Sequence, residues 1–327
     1  MFSYRTLFKQ AWLVTWHYKY LWFFGLFAAI VASSGAWEYQ VFSQSVNYGL
    51  IEGSYVRLSN VLEMWDLTTG FLLGLVDLWR YDFLTIINVL SIIIVTATLI
   101  ISFVWLSVTS QAALVIETKK LLNNKKKSLV LSLRAGFSEG HLYFWRLLGL
   151  NILTKFLITI AFFIVSLPLL FLALKDTSAM TVAYTILFVV FIPVSVSLSL
   201  IIKYAIAYIV LNKKHAVTSL ELGAKLFHQN WLISVEAAII LFIINFLASL
   251  VFVMLLAIPL IPLLFFALVF NILWLIYLII FLTFAAVIVF GSILTTFQVT
   301  SWTNLFLHLS DKGGQAKLER LFGRKNA

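Results

Sequence analysis

The sequence predicts an all-α, polytopic membrane helix bundle: six transmembrane helices arranged as three repeats of an interfacial elbow helix plus a helical hairpin. Three observations predict it. The 327 residues are 62% hydrophobic and only 11% charged, whereas soluble domains carry about 25% charged residues. The apolar runs are continuous, as spanning helices of ~20 residues require, and do not alternate like the strands of a membrane barrel. The cationic residues gather in alternate loops. Cysteine is absent, which excludes disulfides, thiolate metal sites and cysteine nucleophiles.

The first 20 residues are aromatic and basic. Phe8, Trp12 and Trp16 recur every four residues, with Arg5 and Lys9 on another face. That pattern predicts an amphipathic helix lying in the membrane interface. Residues 21–37 form the first expected span. Ser34-Gly35-Ala36 resembles a signal-peptidase site, but the long aromatic lead is unlike a signal n-region, and the span is read as retained.

Residues 38–82 form an outer acidic loop with six acidic and two basic residues. Trp65, Phe71, Leu75 and Trp79 predict one or two helices resting on the bilayer. Glu63 and Asp66 would share a helical face. They could attract cations, although a solvated face accounts for them.

The second span lies within residues 83–115, followed by a basic loop and elbow over 117–145. The third covers about 147–174, Lys175-Asp176 makes a tight turn, and the fourth covers about 181–211. Pro168 and Pro193 are candidate kinks. The basic turn Asn212-Lys213-Lys214-His215 leads to a second elbow over 216–231, and the fifth span begins near Leu232. From Ala237 to Ser310 no side chain is charged. These 74 residues exceed the ~40 that two perpendicular spans need. Pro259 and Pro262 are expected to mark the turn. The surplus must go into tilt, length or a partly embedded hairpin.

Counting Lys and Arg over six spans places 18 on the side of both termini and 3 on the other. Cytoplasmic loops carry the cationic excess, so both termini are expected in the cytoplasm of a plasma-membrane protein. The net charge of +10 then reads as attraction to anionic lipid head groups rather than to nucleic acid. Membrane lipids are the expected partners, with room for an unidentified protein.

An internal repeat supports the three-unit plan. Ser132-Leu133-Arg134-Ala135-Gly136 parallels Ser219-Leu220-Glu221-Leu222-Gly223. Each is followed by a histidine nine residues after the serine, His141 and His228, and then by a tryptophan before a span, Trp145 and Trp231. Pro168-Leu-Leu-Phe-Leu-Ala-Leu174 also parallels Pro262-Leu-Leu-Phe-Phe-Ala-Leu268. Repeat units of about 1–115, 128–211 and 216–310 make one membrane domain of residues 1–310, with 311–327 a basic tail. Units of equal orientation are related by an axis along the membrane normal, giving a pseudo-threefold bundle.

Lys155, Lys203 and Glu236 fall inside expected spans at similar depth, in the cytoplasmic third, with Asn151 and Asn245 as added hydrogen-bonding groups. An ionised group in hydrocarbon must pair, snorkel or line a wet cavity. The five are a candidate intramembrane polar cluster, either an ion or lipid site or a structural pair. His141, Trp145, His228 and Trp231 are candidate elbow-helix interface positions. No HExxH, GxSxG, Walker A or SxxK pattern occurs, and no metal or cofactor is expected.

Tyr204, Tyr208, Asn212-Lys213-Lys214, Ser219-Leu220 and Asn230-Trp231 follow a recurring plan: an aromatic-ended span, a basic turn, an elbow and an aromatic start to the next span. Residues 111–135 followed by Phe144-Trp145-Arg146-Leu147-Leu148-Gly149 are similar, and the opening Tyr20-Leu21-Trp22-Phe23-Phe24-Gly25 suits the same plan. The pattern resembles the membrane-anchor domain of glycerophosphoryl diester phosphodiesterases and related bacterial membrane proteins. The resemblance implies the six-helix membrane fold only. This chain lacks the catalytic barrel, so neither activity nor site residues carry over. The function expected is that of a non-enzymatic membrane module acting through lipid or a protein partner. A small-solute or ion transporter using the polar cluster, and a lipid-modifying enzyme, are the alternatives.

Overall fold

A computed structural model describes residues 4–32, 69, 83–123, 133–173 and 177–312. Among them are nine α-helices: α1 (Tyr4–His17), α2 (Leu21–Ala32), α3 (Phe83–Asn123), α4 (Leu133–Gly140), α5 (Phe144–Ala173), α6 (Thr177–Asn212), α7 (Ala216–Gln229), α8 (Trp231–Val269) and α9 (Leu273–Lys312). A 3-10 turn, His141–Tyr143, joins α4 to α5. The expected loop at 38–82, the turn at Lys175-Asp176 and the tail from residue 313 lie outside the described residues, apart from Thr69.

Three stretches are long and apolar enough to cross a membrane: Ile87–Asn123 within α3, Trp231–Val269 and Leu273–Ser310. Their apolar windows are almost wholly unburied within the protein. A helix that is apolar all round and uncovered in this way belongs in lipid. Among the described residues the protein is thus all-helical, with three helices long and apolar enough to cross a membrane.

Two compact units divide the chain. The larger comprises residues 1–31, 107–160 and 192–327, and the smaller residues 32–106 and 161–191. In the smaller unit, residues 87–106 of α3 carry mostly exposed side chains such as Ile92, Ile94, Ile101 and Phe103.

The larger unit has a packed interior. Leu7, Phe8 and Ala11 of α1 meet Leu200 and Tyr204 of α6, Leu226 of α7, Ile233 and Ala237 of α8, and Phe297, Trp302, Leu305 and Phe306 of α9. A second cluster joins Val108, Ala112 and Val115 of α3 to Leu147 and Leu150 of α5 and Ala205 and Ile209 of α6. A third joins Val14, Leu21 and Phe24 to Ala113 and Leu114.

Helix α1 is amphipathic, as its period predicts, but it packs along α9 rather than standing apart. It buries Leu7, Phe8, Ala11, Val14 and Thr15, leaving Trp12 and Trp16 about half exposed. Asn304 Nδ2 donates to the Leu7 carbonyl at 3.2 Å. The Trp12 ring meets Phe297 edge-on, 5.9 Å between centroids. Thr296 Oγ1 donates to the Leu21 carbonyl at 3.2 Å, and Ser292 donates to the Trp22 carbonyl. Residue numbers rise along α1 as they fall along α9, so the two run antiparallel.

The turn between α8 and α9 corrects an expectation. Pro259 and Pro262 lie inside α8, where a membrane helix tolerates proline. The chain reverses at Phe270-Asn271-Ile272. Asn271 has φ of 53°, its N–H donates to the Leu268 carbonyl at 3.2 Å, and the Ile272 N–H donates to the Ala267 carbonyl at 2.9 Å. This is a Schellman closure with asparagine in the left-handed position. The basic turn after α6 also uses a positive φ, 57° at Lys213. Arg146, from the first turn of α5, donates to the Lys213 carbonyl at 3.0 Å.

Candidate functional site

Several polar residues of the larger unit find partners set by local helix geometry. Lys203 sits on α6, and Trp302 on α9 packs across it, so the ammonium lies 4.5 Å from the indole centroid. Among the described residues no carboxylate lies within ion-pair distance of it. A cation over an indole face is an electrostatically favourable arrangement that needs no counter-ion.

Glu236, one turn into α8, accepts a hydrogen bond of 2.5 Å from the Tyr4 hydroxyl. The contact bridges 232 positions of sequence and pins the start of α1 to α8. Asn151 Nδ2 on α5 donates to Gln111 Oε1 on α3 at 3.4 Å. Lys155, one turn further along α5, is exposed. Asn245 on α8 keeps a buried carbonyl oxygen with no partner among the described residues. The five candidates therefore engage different elements, and neither lysine pairs with Glu236 through a described ion pair.

The elbow positions are exposed. Trp145 is 78% exposed and Trp231 56%, each at the first turn of a long helix. His141 Nδ1 lies 3.3 Å from the Phe137 carbonyl, and His228 closes the last turn of α7. Among the described residues no three His, Asp or Glu side chains converge on a metal-sized space.

Sequence reasoning passes over a wholly buried carboxylate. Glu117 falls in the expected basic loop, but α3 continues to Asn123, which turns the carboxylate inward. Its side chain is 0% exposed. Lys120, one turn on, donates to Glu117 Oε1 at 3.0 Å and to Glu139 Oε1 of α4 at 2.6 Å. The Tyr20 hydroxyl, from the turn before α2, donates to Glu117 Oε2 at 3.2 Å. Burial, and then the adjacent Glu117 carboxylate, hold the Tyr20 phenol well above its ordinary range. It therefore stays protonated and keeps donating. Glu117 and Lys120 together thus tie three segments: the α1–α2 turn through Tyr20, α3 itself, and elbow α4 through Glu139. The available signal was Glu117 and Lys120 at an i, i+3 spacing.

Small residues set how closely the elbows approach. A Cβ on Gly223 of α7 would stand 2.8 Å from the Ile201 carbonyl oxygen and 3.0 Å from the Ala205 nitrogen of α6. A Cβ on Gly140 of α4 would stand 2.6 Å from the Thr109 carbonyl oxygen and 3.2 Å from the Ala113 nitrogen of α3. Gly25 of α2 lies in the same way against Ser292 and Thr296 of α9. The sequence register matched Gly136 with Gly223. By contact, Gly140 is the counterpart of Gly223, while Gly136 faces the Phe24 ring.

The chemistry on offer is that of helix fastening beside an apolar surface. The chain matches no family model, no curated protein and no solved structure.

Proposed function

We propose that this is an integral membrane module that works by holding lipid head groups, or a protein partner at that level, rather than by catalysis. The observation that carries the reading is a separation of roles. The buried Glu117 and Asn304 and the half-buried Glu236 fasten one segment to another, while Arg5, Lys9, Lys19, Arg134, Lys213, Lys214 and Lys225 remain on exposed positions. Exposed cations beside an apolar membrane surface attract anionic head groups, worth ~1 kcal/mol each near such a surface.

The same proposal includes six spans, both termini in the cytoplasm of a plasma-membrane protein, and three repeat units about an axis along the membrane normal. Three glycine contacts support the repeat. Thr109, Ile201 and Ser292 each receive a glycine, and they lie 92 and 91 positions apart. The first two contacts join an elbow to the helix before it, and the third joins α9 back to α2, as a closed ring requires. Likeness to the phosphodiesterase anchor domain is part of this proposal and brings no activity with it.

The test is reconstitution in phosphatidylcholine vesicles with and without phosphatidylglycerol. The expected result is thermal stabilisation by the anionic lipid, lost in a K213E/K214E/K225E variant. Equal stability in both lipids would overturn the head-group reading. Ion or solute flux would instead favour a transporter, and altered lipid a lipid-modifying enzyme.

A further inference from the structure

The uncharged run from Ala237 to Ser310 is too long for two spans, and the hairpin it forms shows where the excess goes. Helix α8 has 39 residues and α9 has 40, about 58–60 Å each at 1.5 Å per residue. The hydrocarbon layer is only ~30 Å thick. Phe252 and Phe290 stack face to face with centroids 3.9 Å apart, which fixes the register of the two arms. Beyond that stack, 252–269 and 273–290 each measure about 27 Å. Their outward side chains, among them Ile258, Phe265, Trp274, Tyr277 and Phe281, are more than half exposed.

Below the stack the character of α9 changes. From Ser292 to Asn304, eight of thirteen residues carry a hydroxyl or amide. Eight of those thirteen positions are buried: Ser292, Thr296, Phe297 and then Thr300 through Asn304. Helix α3 changes in the same way along its own length. Residues 87–106, about 30 Å of helix, are uncharged and largely exposed, whereas residues 107–118 are all buried. Thr118 and Thr300 hydroxyls lie 3.3 Å apart. The change in α9 falls at Ser292, about 12 Å along the helix from Thr300. Trp22, whose carbonyl accepts from Ser292, and Trp16, its ring tilted against that of Trp22 at 5.7 Å, mark the same level as Ser292. Tryptophan gathers where hydrocarbon meets head groups.

We propose that the hydrocarbon layer covers only the outer arm of the hairpin, from the Phe252–Phe290 level to Phe270, and that the near halves form a bundle outside it. The occupant of the exposed apolar arm is lipid acyl chain. Its length equals the layer, it carries no charge on any side, and indoles ring its base. Glu117 with Lys120, Glu236 and Lys203 then all lie below the hydrocarbon, where an ionised group is far less costly. One apolar stripe of α8, Ile239, Phe242, Phe246 and Leu250, continues below the stack. It enters the head-group layer and makes Phe242 the discriminating position. The inference rests on the reading of α8 and α9 as membrane helices and departs from the head-group reading at one point: it leaves Lys213, Lys214 and Lys225, on the segments leading into Trp231, below the head-group layer, so the charge-reversal variant and the depth profile tell the two apart.

The chain has no cysteine, so single-cysteine nitroxide labels can be placed at exposed sites without disturbing the core: Trp231, Ile239, Phe242, Val253, Ile258, Phe265, Trp274 and Phe281. Oxygen against nickel-chelate accessibility in phosphatidylcholine–phosphatidylglycerol vesicles reports depth. The expected profile has its maximum near Ile258 and Phe281, head-group values at Phe242 and Trp274, and aqueous values at Trp231. A maximum near Phe242, with Trp231 at the surface, would overturn this inference and leave the membrane reading standing. Aqueous values at every position would overturn both. Labelled proteins are compared by size-exclusion profile with the cysteine-free chain, and a site that alters the profile is replaced by its exposed neighbour Leu255 or Phe284.

Discussion

Replacing Glu117 by alanine is the sharpest stability test of the packed unit. The carboxylate is wholly buried, while Lys120 is 32% and Glu139 44% exposed. Breaking a buried ion pair costs ~3–5 kcal/mol when the surviving charge is stranded. Here it is not stranded, because Lys120 keeps Glu139 and reaches solvent. What is lost is two hydrogen bonds to a charged acceptor, each worth ~1.5–3 kcal/mol before the survivors find other partners. The expected cost is therefore about 2–3 kcal/mol, or roughly 30- to 150-fold in the unfolding constant. Lys120→Met leaves the buried carboxylate with Tyr20 alone and should cost more, about 3–5 kcal/mol. Glu139→Ala removes an exposed partner and should cost at most ~1 kcal/mol.

The assay is reversible unfolding in mixed micelles by increasing the denaturing detergent fraction, followed by tryptophan fluorescence. A Glu117→Ala/Lys120→Met double variant completes the cycle and should be more stable than the sum of its single variants implies. The reasoning is refuted if Glu139→Ala costs as much as Glu117→Ala. It is also refuted if Lys120→Met is the mildest of the three, because the buried acid would then not depend on its ammonium.

Three further outcomes follow from the same geometry. Gly223→Ala and Gly140→Ala drive a methyl against backbone of the neighbouring helix and should cost ~1–3 kcal/mol. Gly149→Ala, which meets open space, should gain up to ~1 kcal/mol from helix propensity; the same unfolding titration reads both. Lys203→Met keeps the stem against Trp302 without the charge, and should be neutral within ~1 kcal/mol in that titration; a loss above 3 kcal/mol would mean the ammonium has an acceptor. Tyr204→Phe removes the 2.7 Å bond to Ser234 Oγ inside the core and should cost about 1 kcal/mol, visible as a lower thermal midpoint.

The helices were legible because apolar runs of this length have few alternatives, and the basic turn at Lys213 and the elbow over 216–229 fell where their charge and period placed them. What failed did so for identifiable reasons. Pro259 and Pro262 looked like a turn by the rule for soluble helices, yet the turn rests on Asn271, whose ability to adopt a positive φ is a weaker mark in sequence. Glu117 was hidden because a charge near a cationic run reads as loop, although α3 carries it a further turn inward. The Tyr4–Glu236 and Asn304–Leu7 bonds join residues more than two hundred positions apart, and no periodicity reports such pairings. The candidate polar cluster was assembled from depth alone. Depth fixes a level along each helix but not the direction a side chain takes around it, and Lys155, Lys203, Glu236, Asn151 and Asn245 take different directions.

That difference bears on what kind of protein this is. A transport route needs polar groups facing one another across a shared space, so that an ion leaving one ligand meets the next. Here the groups face helices. Tyr4 caps Glu236, Trp302 covers Lys203, Gln111 takes Asn151, and Lys120 with Tyr20 takes Glu117. Each contact joins α1 or an elbow, or one long helix to another, and breaking any of them loosens an attachment rather than clearing a path. Cations remain outside this framework on exposed positions, which is where the proposed reading has them meet anionic head groups. The described polar contacts thus serve to fasten helices to one another, and that is the pattern the proposed membrane module requires and a transport route does not.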